Sequence, residues 1–407
     1  MKLLIPSADT PVSFSDVFNG FLFSFSPSLE AFGSVVKSYT NKKYCFFTNS
    51  GTTAFYVILR ALRRLSGKTE VIIPAYTAPS LIPPIKRAGL KPVLCDISLK
   101  TFTIDIPSIA KYINENTLCI MPVHQFGLPV NMEAVMNIAQ QRALYVVENA
   151  APSFGTTMNK RPAGTFGDIG FYSFNRGKNL STFSGGCIIT DAEEIARAIE
   201  TECSWLPDPG FTVRVKNVFK SLVLTLATRP FFYTLFYYPI SQWKHGNLHT
   251  NFDSFRYTEF QAGIGNALFK HAPRNFNKRY DHGLFLLEML SGVKGVRLPE
   301  LIPDAVPVFN QFPVLFDTIR MRENFLRKIN TSGIESTVLY SDPVHKIYDL
   351  GYDTSKDPFP NATYFSRRLL LIPTHPMMDI EKLSTVVTII KTGLEELTNG
   401  LIFPSQL

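Results

Sequence analysis

Between residues 44 and 200 the chain alternates short apolar runs with stretches whose apolar residues recur at helical spacing. Tyr44-Cys45-Phe46-Phe47, Val71-Ile72-Ile73, Pro92-Val93-Leu94-Cys95, Leu118 to Val123 and Leu144 to Val147 read as strands. Thr52 to Leu65 places Ala54, Phe55, Ile58, Leu59 and Leu62 on one helical face. A shorter helix is expected over Leu81 to Ala88, with Pro83 and Pro84 tolerated in its first turn, and another over Met132 to Arg142. Strands that are apolar throughout, separated by helices, predict a mostly parallel sheet covered on both faces. Ligands of such sheets collect beyond the carboxyl ends of the strands. Asn49-Ser50-Gly51, His124, Glu148-Asn149 and the region of Lys178 all fall there.

The pattern changes after residue 218. Leu222 to Ala227 and Phe231 to Tyr238 are apolar, and Arg229-Pro230 interrupts them centrally, which excludes a single spanning helix. The segment 218–243 therefore reads as a buried subunit or domain interface, or as a surface that docks on a membrane. Beyond residue 251 the spacing predicts helices over Glu259 to Leu268 and Asn275 to Leu290, then a smaller α+β tail. In that tail Phe312 to Phe316 is a plausible strand, whereas Pro307 breaks Ala305 to Val308.

Composition narrows the function. A length of 407 residues suits two domains, 1–245 and 246–407. The five cysteines are scattered without metal-type spacing, as reduced thiols in a cytoplasmic setting would be. The apolar run at the N-terminus stops too early for a signal peptide. The formal charge of +8 points to anionic partners. Its residues are dispersed, with local clusters at Arg60, Arg63, Arg64 and Lys68 and at Arg367-Arg368. No nucleic-acid motif accompanies them, so a phosphorylated or nucleotide-linked small substrate accounts for the sign instead.

Lys178 stands in Ser173-Phe174-Asn175-Arg176-Gly177-Lys178, between the apolar runs Ile169 to Tyr172 and Cys187 to Ile189. A lysine desolvated there would have a depressed pKa and attack aldehydes readily, whereas a lone lysine is ordinarily a solvated surface group. Asn49-Ser50-Gly51-Thr52-Thr53-Ala54 joins a strand to a helix and offers N–H groups and hydroxyls to a phosphate. The same pattern also suits an ordinary capped helix start. It lacks the features of a nucleotide P-loop and of a dinucleotide fingerprint. His124, His345 and His375 read as structural histidines.

Several of these motifs occur together in a fixed order. Asn49 to Ala54 is followed by Ile73-Pro74-Ala75-Tyr76-Thr77, by Ala88 to Asp96, and by Pro122-Val123-His124-Gln125-Phe126-Gly127. Val147-Glu148-Asn149-Ala150-Ala151 comes next, then Ser173-Phe174 ahead of Lys178, then Gly185-Gly186. Phe359-Pro360-Asn361-Ala362 and Leu371 to Pro376 extend the match almost to the C-terminus. The chain resembles the DegT/DnrJ/StrS-type sugar aminotransferases, pyridoxal-phosphate enzymes of fold type I. The resemblance implies an α/β protein with a large, mostly parallel sheet of the seven-stranded type and a smaller C-terminal α+β domain. It implies pyridoxal 5'-phosphate held covalently by Lys178, with Ser173, Gly51, Thr52 and Thr53 at its phosphate. It further implies an amino-acid donor, usually glutamate, a nucleotide-linked keto-sugar acceptor, and a homodimer. The product would feed surface polysaccharide, glycolipid or a secondary metabolite.

Three positions depart from the family pattern. Asn149 replaces the usual Asp, and an amide can hydrogen-bond the cofactor's pyridine nitrogen but cannot charge-stabilise its protonated form. Pro152 replaces the usual Gln, and Ala78 replaces an aromatic ring that stacks on the cofactor, a part Tyr76 is placed to take. Glu148 points to the opposite face if strand alternation continues. These departures leave open an altered lyase-type enzyme or a non-catalytic partner subunit. The segment 222–238 leaves open a membrane-associated protein, or a membrane-surface scaffold with no chemistry.

Overall fold

The computed structural model describes residues 3–239, 251–353 and 355–398. The domain boundary expected at 245/246 and the end of the apolar segment, 240–243, lie outside these residues. Two helices, α1 (Phe14–Leu22) and α2 (Ser28–Thr40), precede the first strand and lie outside the elements expected from the sequence. Ser13 caps α1 through the amide of Asp16, whose carboxylate returns the bond to the Ser13 amide. Strand β1 (Tyr44–Thr48) leads to α3 (Gly51–Leu65), and β2 (Glu70–Pro74) to α4 (Ile82–Arg87). After β3 (Lys91–Cys95) come a short α5 (Ile106–Ile109), β4 (Thr117–Ile120), α6 (Met132–Gln141) and β5 (Tyr145–Asn149). A small hairpin, β6 (Thr157–Met158) and β7 (Arg161–Pro162), precedes β8 (Ile169–Ser173) and β9 (Gly186–Thr190).

Seven of these strands form one sheet in the order β1-β9-β8-β5-β4-β2-β3. The pairs from β8 through β3 are parallel, and β9 alone runs against both its neighbours, β8 and β1. The fold is therefore the mixed α/β architecture with a large, mostly parallel sheet. Its strands are apolar throughout because both faces are covered. Val71 and Ile73 face one core with Val147, Phe171 and Ile188, while Ile72 turns to a second with Ile120 and Val146. Beyond residue 251 follow helices Glu259–Phe269 and Ala272–Leu290. A three-stranded antiparallel sheet comes after them, with β12 (Gln311–Phe316) between β10 (Val296–Arg297) and β13 (Leu369–Pro373). The two-residue β11 (Ala305–Val306) pairs with β6.

After β9 the chain forms α7 (Glu193–Ser204), which packs on α3. Glu202 on α7 accepts from both Arg60 and Arg64 of α3, and Arg63 donates to the carbonyl of Gly89 at 2.6 Å. Much of the early basic cluster is thus committed to holding the scaffold. Then come α8 (Phe211–Ala227) and α9 (Pro230–Phe232), the latter widening into a π-helical turn over Tyr233–Tyr237. Pro230 opens α9 at its first turn, where its missing N–H has no cost. No helix among the described residues is long and apolar enough to cross a membrane.

Candidate active site

Four segments meet at the carboxyl edge of the sheet. Ser50 caps α3 by accepting from the Thr53 amide at 3.1 Å, which points the remaining first-turn amides outward. Ser173, the last residue of β8, pairs with Gly186 of β9. The approach is so close that a methyl group on Gly51 would stand 2.9 Å from Ser173 Cβ, and one on Gly186 would stand 2.3 Å from the Ser50 carbonyl. Gly51, Ser173 and Gly186 thus build a cradle of backbone and small polar groups beside a helix N-terminus, the arrangement that suits a phosphate. Thr52 lies on an adjoining cleft of ≈ 630 Å³, which Asn175, Lys216, Lys220 and Arg256 also line. Thr53 is buried instead, and its hydroxyl lies within hydrogen-bonding distance of Ser50 Oγ (3.0 Å) and of the Asp253 carbonyl (3.2 Å).

Lys178 lies in the loop between β8 and β9. Part of its surface stays accessible, yet burial of the side chain holds its ammonium down at about 8. Desolvation is the whole cause, since moving a charge out of water favours the neutral amine. The loop is pinned from both sides. Its own carbonyl accepts from the Thr10 hydroxyl, and the Gly177 carbonyl accepts from Asn310 Nδ2 at 2.6 Å. Asn179 Nδ2 donates to the carbonyls of Phe154 and Val308, both at 2.9 Å. Sequence reasoning missed Thr10, Asn179 and Asn310. They come from three distant stretches of chain and share only a polar side chain near an apolar run.

Asn149 ends β5 beside β8, in register with Phe171. Its Oδ1 accepts from the Ala151 amide at 3.1 Å, so the side-chain NH₂ is the group left to meet a ligand. Glu148 turns to the opposite face, as alternation predicts. It is fully buried and accepts from His124 Nε2 at 2.7 Å and from the amides of Gly164, Phe166 and Gly167 at 2.6 to 2.9 Å. Those bonds, His124 foremost, more than offset desolvation and keep its pKa below the usual carboxylate value. His124 Nδ1 accepts from the Val130 amide at 3.0 Å, which fixes the proton on Nε2 and makes the ring a structural strut. His375 bonds the Pro6 carbonyl at 2.7 Å, and burial holds its pKa down at about 3. His345 meets Asp357 at 3.1 Å.

Tyr76 follows β2 and is buried, its ring edge-on to Phe365 at 4.9 Å and tilted against Tyr340 at 5.7 Å. Burial pushes its phenol well above the usual range. The ring joins the end of β2 to the C-terminal helices.

A desolvated lysine in the loop after β8, on the same sheet edge as a donor-rich helix N-terminus, fits a pyridoxal-phosphate-dependent transferase of fold type I. The chain belongs to the DegT/DnrJ/EryC1/StrS aminotransferase family, whose pattern matches residues 13–391. It is 28% identical over 350 residues to a UDP-N-acetyl-3-dehydro-alpha-D-glucosamine 3-aminotransferase of Acidithiobacillus ferrooxidans, covering 85% of this chain and 83% of that one. It is 25% identical over 391 residues to a dTDP-3-amino-3,4,6-trideoxy-alpha-D-glucose transaminase of Streptomyces venezuelae, covering 95% and 93%. Its fold is similar to that of Helicobacter pylori PseC, an aminotransferase of pseudoaminic acid biosynthesis. There the TM-score is 0.78 at 17% identity, over 97% of this chain and all of that one. Relatives thus include sugar aminotransferases, and sugar dehydratases are among them too.

Proposed function

We propose that this enzyme uses pyridoxal 5'-phosphate bound to Lys178 to move an amino group from an amino acid, glutamate in the first instance, to a nucleotide-linked keto-sugar. The observation that carries the reading is the desolvated Lys178 amine at the carboxyl edge of the sheet, with the Gly51–Ser173–Gly186 cradle on the same edge. The residues fit the cofactor: the cradle is too tight for a side chain and rich in donors, as a phosphate requires. The amides at Gly51 and Thr52 and the Ser173 hydroxyl would hold that phosphate, and the Asn149 amide would donate to the pyridine nitrogen. Bound pyridoxal phosphate supplies an electron sink for the carbanion formed beside the amine. Lys178 Nζ, neutral above about pH 8, takes the proton from the donor's α-carbon and returns it on the far side of the exchange. Lys216, Lys220 and Arg256 give the adjoining cleft the sign that a nucleotide diphosphate needs. A homodimer is part of this reading.

A second reading rests on Asn149. An amide that donates to the pyridine nitrogen favours its unprotonated form, which weakens the electron sink and suits a slower or altered, lyase-type reaction or a non-catalytic partner subunit. Mass spectrometry separates the two. Enzyme loaded with cofactor and glutamate, then given a UDP- or dTDP-linked 3- or 4-keto-sugar, should release the amino-sugar nucleotide. A dehydrated sugar nucleotide as the product would replace the first reading with the second, and unchanged substrate would leave the chain as a partner subunit.

A further inference from the structure

Helix α8 sets only Val218 and Leu224 of its apolar residues against the core and turns the rest outward. Its buried residues are Ser221 and Thr225, which bond back to the helix carbonyls of Val218 and Ser221 at 2.7 and 2.8 Å and so need nothing from the core. Phe211, Val215, Phe219, Leu222, Val223 and Leu226 are exposed instead, Phe211 to 80% and Phe219 to 68%. At 3.6 residues per turn these six share one sector of about 120°. The next segment also turns apolar residues outward. Tyr233 is tied inward to Glu335 at 2.6 Å and Thr234 to the Leu4 amide at 2.8 Å, while Phe231, Leu235 and Phe236 stay exposed. Helix α1 packs against α8 and adds Phe14, Phe18 and Leu22, all about half exposed. A surface of this size on two adjacent helices is far beyond the scattered apolar residues of an ordinary exterior.

Charge indicates what covers it. From residue 209 to 252 the sequence holds five lysines and arginines and no aspartate or glutamate. Exposed Arg229 borders the apolar sector, and Lys216 and Lys220 lie at its edge towards the cleft that they also line. A second copy docked through this segment about a twofold axis would bring no carboxylate from 209–252 to these cations, because such an interface pairs the patch with its own image. An anionic lipid surface answers both the apolar sector and the cationic border. We propose that α1, α8 and the segment Pro230–Phe236 seat this enzyme on the headgroup region of an anionic bilayer, lying in the interface without crossing it.

The test is flotation of the full-length, cofactor-loaded enzyme with vesicles of phosphatidylcholine alone or of phosphatidylcholine with phosphatidylglycerol. The same preparations are run by light scattering for oligomeric state. Wild type should float with the anionic vesicles and much less with the neutral ones. Phe219→Glu with Leu222→Glu should lose more than about tenfold in vesicle affinity, a change of about 1.4 kcal/mol. Its oligomeric state and melting temperature should stay unchanged. Phe219→Ser with Leu222→Ser, which adds no charge, should show an intermediate loss. Wild type that stays at the bottom with both vesicle types overturns the proposal, as does a Glu variant that floats like wild type. A Glu variant that falls apart into smaller species in the absence of lipid also overturns it, since the face would then be a contact between copies.

Discussion

Lys178 carries two predictions at the scale of a single residue. The attacking species is the neutral amine, and burial places its titration at about 8 instead of the usual 10.5. The rate at which added pyridoxal phosphate develops its visible band should therefore rise with pH, pass half its maximum near pH 8 and level off about one unit higher, as followed by stopped-flow absorbance. A rate still climbing steeply beyond pH 9 would show a solvated lysine. Lys178→Ala should show no such band at any pH. Asn149→Asp would supply a carboxylate to the pyridine nitrogen in the proposed reading, and the glutamate half-reaction should speed up by about tenfold, the equivalent of roughly 1.4 kcal/mol of added charge stabilisation. An unchanged rate would refute the role given to Asn149. The lysine and the asparagine stand out in the sequence because each belongs to a series of short motifs in a fixed order. Thr10, Asn179 and Asn310, which clamp the loop, do not, because a hydrogen bond to a backbone carbonyl needs no motif.

Among the elements, the strands and the helices between residues 44 and 149, the short α5 apart, followed from periodicity to within a residue or two at most ends. Strand β5 was readable but not its outward bonds: Glu148 was placed on the far face by alternation, and its donors from residues 164–167 come from a loop with no periodic signal. Glu148→Gln turns an amide toward backbone donors that need an acceptor, and should destabilise by about 1–3 kcal/mol in thermal melts. Gly186→Ala forces a methyl group onto the Ser50 carbonyl at 2.3 Å. It should lower the melting temperature and weaken cofactor retention together, at a cost of about 1–3 kcal/mol. Retention that is unaffected would separate the cradle from the cofactor. Helix α8 shows where pattern reading reaches its limit. The apolar run Leu222 to Ala227 is plain in the sequence, but such a run says only that a face is covered, never by what.

Across the whole molecule the N-terminal segment ties distant parts together. Asp9 and Pro6 supply carbonyls to Arg279 and His375, both fully buried. These links set opposing pH responses. His375 is pushed from 6.5 to about 3 by burial, so unfolding takes up a proton between those values and stability is lost as pH falls. Asp9 is raised from 3.8 to about 7, also by burial, so the folded state holds the extra proton and stability grows as pH falls through that window. The two nearly cancel between pH 4 and 6.5. Asp9→Asn removes one of them, and its melting temperature should drop more steeply than that of wild type from pH 6.5 to 4. Parallel curves would show that Asp9 does not titrate in this range.

The central claim is that Lys178 holds a pyridoxal phosphate which accepts an amino group. The most direct measurement is the visible absorbance of purified enzyme incubated with pyridoxal phosphate, dialysed, and then titrated with glutamate. The account predicts a retained yellow band that glutamate removes and 2-oxoglutarate restores. Protein that is colourless after dialysis, or a band that no amino acid alters, would contradict it.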